Sequence, residues 1–503
     1  MSYQLLLHNL GFKLDPFAKN NADEEENLSD YFLPPPFFDA VYGNFHDPRS
    51  TIVFAERGGG KTALKRKIEL ASKQQSFLCL TYNDFPIDSL TIAQIDLSYH
   101  LRNIARLLLV AIVTTTIEKG VLKLNKDDRH ILYLLIKEYL TQISQTQLKS
   151  AISAIKNLPD KAIDLWNKLS GPIGVVINAL FQKIGLQSVE VSQFASAGGK
   201  LGSLKDQIVI MQTIAAKLGF ESIYVLVDRV DENTLTTSTD RTFQFIRHLV
   251  SDLGILELPY FGFKFFLWNL ILSDYRQIAR PDRIKYYELH WSYPQLQEML
   301  SRRLIAHSDG QIRSLETITD INLPVPLDSV IAVFAQGSPR NVVRICKDIL
   351  DHQAEIDSSV RQLSPQAVHR GISNIARNIS EETFDMAALR DLKRLQHADF
   401  TIKDVYSGVF KITQQAGLAK VNGWKGIGAV HEIDKVKATK GAKPSNHYAL
   451  SSALLAKHIF QDLSLEEFLV KKLKFCKHCR SPLIRDWGST IAQHCDQCQK
   501  KAE

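Results

Sequence analysis

Cysteine is scarce: six in 503 residues cannot staple a chain of this length. Four of them fall between Cys476 and Cys498, a clustering that points to metal rather than to an oxidised framework. Long apolar runs are missing too. No uninterrupted apolar stretch reaches the roughly 18 residues of a membrane helix, and the opening Met1-Ser2-Tyr3-Gln4 has neither the basic run nor the apolar core of a secretion signal. The two strongest candidates, Leu107 to Val113 and Ile173 to Leu180, are short and soon followed by Lys or Glu, so buried or amphipathic helices are expected there. A cytoplasmic chain without membrane contact is the expectation. The sequence also lacks an internal repeat at a period of about 20–50 residues. It has no nuclease, protease or deaminase constellation, so any destructive activity is expected on a partner.

With 45% hydrophobic and 23% charged residues, the composition excludes wholesale disorder. At about 150 residues per domain the length argues for about three domains. The net charge of +7 is unevenly spread: residues 401–503 carry +8, leaving −1 for the first 400. Localised positive charge is the footprint of a phosphate-binding surface, or equally of a solvated basic tail.

Residues 1–49, with Asp23-Glu24-Glu25-Glu26 and Pro34-Pro35-Pro36, read as an irregular acidic lead-in. Thr51 to Phe54 is a continuous apolar run, the pattern of a parallel strand buried on both faces. Phe77 to Tyr82, Ile223 to Val227, Phe263 to Leu267 and Tyr286 to Leu289 have the same character. Helical stretches alternate with these strands, which predicts an α/β core with a parallel sheet over residues 50–290. The pattern from about 90 to 218 is helical almost throughout and reads as an insertion on that core. A helical lid is expected over 291–380, a winged helix over 381–460 and a zinc ribbon over 471–503.

The most specific motif is Ala55-Glu56-Arg57-Gly58-Gly59-Gly60-Lys61-Thr62, set between the first strand and a helix beginning near Ala63. In a Walker A loop the glycines let backbone N–H groups close around phosphates, the Lys reaches the β and γ oxygens, and the Thr hydroxyl joins Mg²⁺ at a helix N-terminus. The pattern predicts ATP held by Glu56 to Ala63. Ala55 stands where the strict pattern has Gly, a mild departure beside three glycines. Such a loop needs a carboxylate at the end of another buried strand. Ile223 to Val227 followed by Asp228-Arg229-Val230-Asp231-Glu232 supplies it: Asp228 is expected in the magnesium shell with Thr62, and Asp231 or Glu232 is expected to orient the attacking water.

The Asp-x-x-Asp-Glu ending resembles that of STAND-type ATPases, the NACHT-like regulatory switches, while the AAA+ pattern has Glu where this chain has Arg229. The resemblance implies slow hydrolysis. Gly337-Ser338-Pro339-Arg340-Asn341 before an apolar helix is similar to the sensor 2 segment of the origin-recognition and Cdc6-like branch of AAA+ ATPases, which implies that Arg340 reaches the γ-phosphate from a helical lid. Phe263 to Asn269 looks like the sensor 1 strand, with Asn269 its polar end. Arg280 and Arg283 sit where such ATPases carry an arginine that answers the γ-phosphate in the same or a neighbouring subunit. The resemblance covers about residues 10–350. It also implies homo-oligomerisation on activation and an association with bacterial antiphage systems.

Toward the C-terminus, Leu389, Leu392 and Leu395 form one apolar helix face and Val405, Val409 and Phe410 a second. Thr413 can cap a third helix carrying Leu418, Val421 and Trp424 and stopped by Gly426 and Gly428. Ala429 to Ile433, a loop holding Lys435, Lys437, Lys440 and Lys443, and His447 to Leu450 then read as strand, basic wing, strand. The lysines are expected at phosphates, with Gln414, Gln415, Lys420 and Asn422 near groove edges; a lid or protein-contact module is the open alternative. Finally, Cys476 and Cys479, then 15 residues, then Cys495 and Cys498 make two C-x2-C knuckles able to bring four thiolates to a structural Zn²⁺.

Together these readings predict an ATP-dependent switch whose nucleotide state controls a nucleic-acid or effector-protein surface in residues 401–503. A DNA-bound loader or recruitment factor and a nucleotide-binding scaffold with little hydrolysis remain as alternatives.

Overall fold

The computed structural model describes residues 2–119, 124–141, 144–156, 181–182, 201–436, 445–476 and 482–486. They fall into two compact units, one of residues 34–290 and one formed by the first 33 residues with those from 291 onward.

In the first unit the apolar runs become strands β1 (Thr51–Ala55), β2 (Phe77–Tyr82), β3 (Ser222–Val227), β4 (Phe261–Trp268) and β5 (Lys285–Glu288). They pair in the order β2-β3-β4-β1-β5, every pair parallel. Burial on both faces explains the mostly apolar sequence of the first four, in which Lys264 of β4 is the one charged side chain, while the edge strand β5 is exposed enough to carry Lys285 and Glu288. Because all five run the same way, the loops after β1, β3 and β4 gather at one end of the sheet, where ligands of open α/β sheets bind. Helix α1 (Lys61–Ser72) follows β1 directly.

The inserted segment contributes α2 (Leu97–Lys119), which packs on β2 and on α3 (Leu204–Lys217). Its Leu97–Ile117 stretch is long and apolar enough to cross a membrane by length and composition, yet 78% of its most apolar window is buried inside the protein. Thr114, Thr115 and Thr116 lie in this buried helix, and each hydroxyl donates to the carbonyl four residues back. Leu107 to Val113 thus belongs to the core, as expected, and Ile173 to Leu180 lies outside the described residues.

The second unit corrects the expectation for the N-terminus. Residues 1–33 are not a plain lead-in: Ser2–Leu10 is a helix burying Leu6, Leu7 and Leu10, and it packs on α4 (Pro339–Ile356). Within the acidic run Glu25 is buried, pairs with Arg303 and accepts from the Tyr31 hydroxyl at 2.6 Å. The sequence signal for this was the spacing of Leu6, Leu7 and Leu10, outweighed by the prolines and acids that follow. Helix α5 (Pro365–Thr383) packs closely on α4 through Gly371, where a Cβ would lie 2.7 Å from Ile349 Cγ1.

Beyond α6 (Met386–Leu395), β6 (Asp399–Thr401), a π-helical turn (Asp404–Val409), α7 (Gln414–Gly426), β7 (Val430–Val436) and β8 (Ser445–Leu450) follow in that order. The strands pair antiparallel as β6-β8-β7. Thr413 caps α7 by accepting from the Ala416 N–H, and Val421 and Trp424 are buried. Leu418 departs from its expected core position and is 40% exposed. Lys437, Lys440 and Lys443 of the wing lie outside the described residues. Of the four zinc-ligand candidates only Cys476 is described, buried just after β9 (Leu473–Phe475), which pairs antiparallel with β10 (Pro482–Ile484). Cys479, Cys495 and Cys498 lie outside. Among the described residues no cluster of three metal-ligating side chains occurs.

Candidate nucleotide site

The loop between β1 and α1 is built by its glycines. Gly58 has φ +75° and Gly60 φ +95°, backbone that a side chain disfavours. At Gly59 a Cβ would meet the Glu56 carbonyl at 3.0 Å and Ala55 Cβ at 3.2 Å. Ala55 itself is the last residue of β1 and fully buried, so its methyl is accommodated within the sheet. Lys61, the first residue of α1, is buried; its ammonium donates to the carbonyls of Ala55 and Glu56, both at 3.0 Å, which turns the charged end back over the loop.

Asp228, immediately after β3, is 2% exposed. The Thr62 hydroxyl donates to Asp228 Oδ2 at 3.3 Å, so the two expected magnesium ligands meet. A hydroxyl and a carboxylate this close form a hard-oxygen donor pair, which fits Mg²⁺. The same carboxylate lies 3.5 Å from the ammonium of Lys65, which is also 3.7 Å from Glu69 Oε1. Glu69 in turn accepts from Thr81 Oγ1 at 2.6 Å and pairs with Arg66 at 3.2 Å. Lys65, Glu69 and Asp228 are all essentially inaccessible. A buried ion network thus ties α1, β2 and β3 together behind the loop.

Arg229 adopts φ +58°, an uncommon conformation for a non-glycine residue, and turns the chain into a 3-10 turn over Val230–Glu232. Within that turn the two candidate water-orienting carboxylates have different surroundings. Glu232 is solvent-exposed and faces Arg229 at 3.7 Å, whereas the Asp231 side chain is 5% exposed and receives Arg57 Nε at 2.8 Å. Arg57 also donates from Nη2 to the Asp231 carbonyl at 3.0 Å, and its guanidinium lies over the Trp268 ring, 4.4 Å from the centroid.

Asn269 follows β4 on the same sheet end. Its Oδ1 is buried and has no hydrogen-bond partner among the described residues, an orphaned acceptor at the sheet end that carries the β1–α1 loop. Arg280 and Arg283 are elsewhere. They precede β5, which is parallel to β1 with Lys285 opposite Thr51, so both lie at the far end of the sheet from the loop. Arg283 pairs there with Glu257, and Arg280 is exposed. Strand direction therefore removes the reading in which either arginine answers the γ-phosphate of its own subunit. Arg340 belongs to the second unit, exposed in the first turn of α4, whose cap Ser338 accepts from the Asn341 N–H.

Sequence reasoning missed Lys65, Glu69, Thr81 and Trp268. A signal existed for two of them: Lys65 and Glu69 stand four apart with Leu64 and Ile68, on the helix face whose apolar pattern should be continuous. Opposite charges at adjacent core positions mark a buried pair.

No protein-family model matches the chain, and no curated protein matches it. Among solved structures it is similar to the ORC1 protein of Aeropyrum pernix in complex with DNA, at 12% identity over 88% of this chain and 97% of that one, with a TM-score of 0.34. It is similar to the ORC2 protein of the same organism, in ADPNP and ADP complexes, at 10% identity over 87% and 97%, TM-score 0.37. The Cdc6p structure from Pyrobaculum aerophilum matches at 12% identity over 91% and 98%, TM-score 0.31. Likenesses this remote carry no inference about what this chain binds or does.

Proposed function

We propose that this chain is an ATP-binding, magnesium-dependent molecular switch that hydrolyses ATP slowly and uses its nucleotide state to control a nucleic-acid or protein-binding surface in residues 401–503. The observation that carries the reading is the meeting of Thr62 and Asp228 at 3.3 Å, directly behind three consecutive glycines and Lys61. In this reading the loop amides and the Lys61 ammonium hold the β and γ phosphates. Thr62 and Asp228 hold Mg²⁺, which neutralises developing phosphate charge. Asp231 orients the attacking water, and Asn269, whose Oδ1 has no partner among the described residues, follows β4 at the same end of the sheet. Arg340 retains its expected part as γ-phosphate sensor, which Arg340→Ala tests. Of the role expected for Arg280 and Arg283, the part that remains is toward the γ-phosphate of a neighbouring copy.

The order α6, β6, turn, α7, β7, β8 with an antiparallel sheet supports reading residues 381–460 as a winged helix. Gln414, Gln415 and Asn422 are exposed on α7, but Lys420 is tied to Asp391 at 2.5 Å and lies over the Phe410 ring. Groove contact therefore falls to the three uncharged side chains, and the zinc knuckles complete the basic end. An antiphage setting rests on the resemblance alone.

One observation favours a second reading, a nucleotide-binding scaffold with little turnover: both candidate water-orienting carboxylates face arginines. An ATPase assay on wild type and Lys61→Ala, with and without duplex and single-stranded DNA, separates the two. Turnover that Lys61→Ala abolishes supports the switch, and tight nucleotide retention without turnover supports the scaffold. Equal turnover by wild type and variant removes the catalytic assignment.

A further inference from the structure

Arg57 makes contacts that phosphate binding does not need. A residue in a glycine-rich loop is normally free to move, yet this one is fixed at three points: Nε on Asp231 Oδ2 at 2.8 Å, Nη2 on the Asp231 carbonyl at 3.0 Å, and the guanidinium plane over Trp268. These anchors bring together the segments that follow β1 and β3 and the end of β4. The Asp231 side chain is 5% exposed, so its charge is weakly screened by water and the arginine is its immediate counterion.

We propose that Arg57 is a positioning residue that holds Asp231 in reserve, keeping the hydrolytic carboxylate ion-paired until a terminal phosphate draws the guanidinium away. This deepens the proposed ATPase reading and rests on it. A carboxylate oxygen already occupied by a charge-assisted bond at 2.8 Å is not free to hold an attacking water in place. Glu232 does not replace it: although next to Asp231 in the same turn, its side chain is exposed and faces Arg229. Arg57 has five N–H donors, of which Asp231 takes two, so the guanidinium has capacity for phosphate oxygens arriving at its own loop. A triphosphate brings a terminal dianion to compete with one carboxylate, and a diphosphate places no group there. The γ-phosphate shares the guanidinium with Asp231 without displacing it completely, so the pairing makes hydrolytic competence depend on which nucleotide is bound and leaves a residual brake that gives slow basal turnover a physical cause.

The test uses the full chain. Arg57 is more than half exposed and lies on the loop surface, so Arg57→Ala is compatible with folding, which circular dichroism checks, and Arg57→Lys is a second variant that keeps the charge but loses the forked geometry. In steady-state assays with Mg-ATP, Arg57→Ala is expected to raise kcat about fivefold or more while raising KM, because brake and phosphate contact are lost together. Arg57→Lys is expected to fall between the two. The rise must disappear in Arg57→Ala/Asp231→Asn, since it acts through Asp231. A kcat that is unchanged or lower in Arg57→Ala, or a rise that persists without the Asp231 carboxylate, overturns the proposal while leaving nucleotide binding intact. If wild type neither binds nor hydrolyses ATP, the site reading falls and this inference with it.

Discussion

Replacing Lys65 with Met removes the cation from the buried network behind the phosphate loop and leaves its shape nearly unchanged. Lys65 lies 3.5 Å from Asp228 and 3.7 Å from Glu69, with all three side chains at 2% exposure or less. At an effective dielectric near 20 each attraction is worth about 4–5 kcal/mol, against a desolvation cost of several kcal/mol for the ammonium. Removing it leaves two inward-facing carboxylates without that counterion, and truncating one partner of a buried pair costs about 3–5 kcal/mol. The chain has two units, so whole-chain melting does not report this loss cleanly. Native-state hydrogen exchange does: amides of β1 and β3 are expected to lose protection by roughly a hundredfold or more in Lys65→Met. Lys65→Met/Glu69→Gln removes one of the stranded charges and is expected to recover much of the loss. Protection within a few-fold of wild type in Lys65→Met would refute the claim that this network holds α1 against the sheet.

Lys264 offers a pH test. It is fully buried in β4, donates to the Arg49 carbonyl at 2.6 Å and lies over the Tyr224 ring; burial pulls its pKa from 10.5 down to about 7. Below about pH 7 both states carry the proton and the burial penalty is fully present; between about 7 and 10.5 the unfolded chain holds a proton the folded one has lost, so stability from this group grows as pH rises. The gap caps the penalty at about 4–5 kcal/mol, partly offset by the carbonyl bond. Lys264→Met is therefore expected to stabilise the first unit by roughly 2 kcal/mol near neutrality, read as increased exchange protection of β4 amides, with the gap to wild type narrowing as pH rises toward 10. Gly371→Ala drives a methyl to 2.7 Å from Ile349 Cγ1 and 2.8 Å from its backbone N. A loss of about 1–3 kcal/mol is expected in the second unit, read as reduced exchange protection in α4 and α5. Elemental analysis of purified protein should find one zinc per chain, lost in Cys479→Ser; protein that is folded and zinc-free removes the ribbon.

The geometry of the candidate nucleotide site was legible because its requirements are local. Three glycines, Lys61 and Thr62 follow one apolar run, and Asp228 ends another, so backbone geometry and strand burial bring them together with little help from the rest of the fold. The same apolar runs predicted all five strands. What failed needed three-dimensional knowledge. Arg280 and Arg283 stand at the right place in the order of motifs, but a parallel β5 puts them at the wrong end of the sheet. Glu25 looked like part of a solvated acidic run until Arg303, far along the chain, buried it. Leu418 matched the helical period of α7, yet it is 40% exposed among the described residues. Arg57 read as a loop residue with a phosphate role; its grip on Asp231 depends on β1 and β3 emerging side by side across β4.

The central claim is that nucleotide is held by the β1–α1 loop with metal at Thr62 and Asp228, and isothermal titration of a slowly hydrolysed ATP analogue measures it directly. Wild type is expected to bind with Mg²⁺ and to lose at least about tenfold in affinity in Lys61→Ala, equivalent to about 1.4 kcal/mol, while Asp228→Asn loses the dependence on Mg²⁺. Equal affinity in wild type and Lys61→Ala, or no binding by either, would contradict the account.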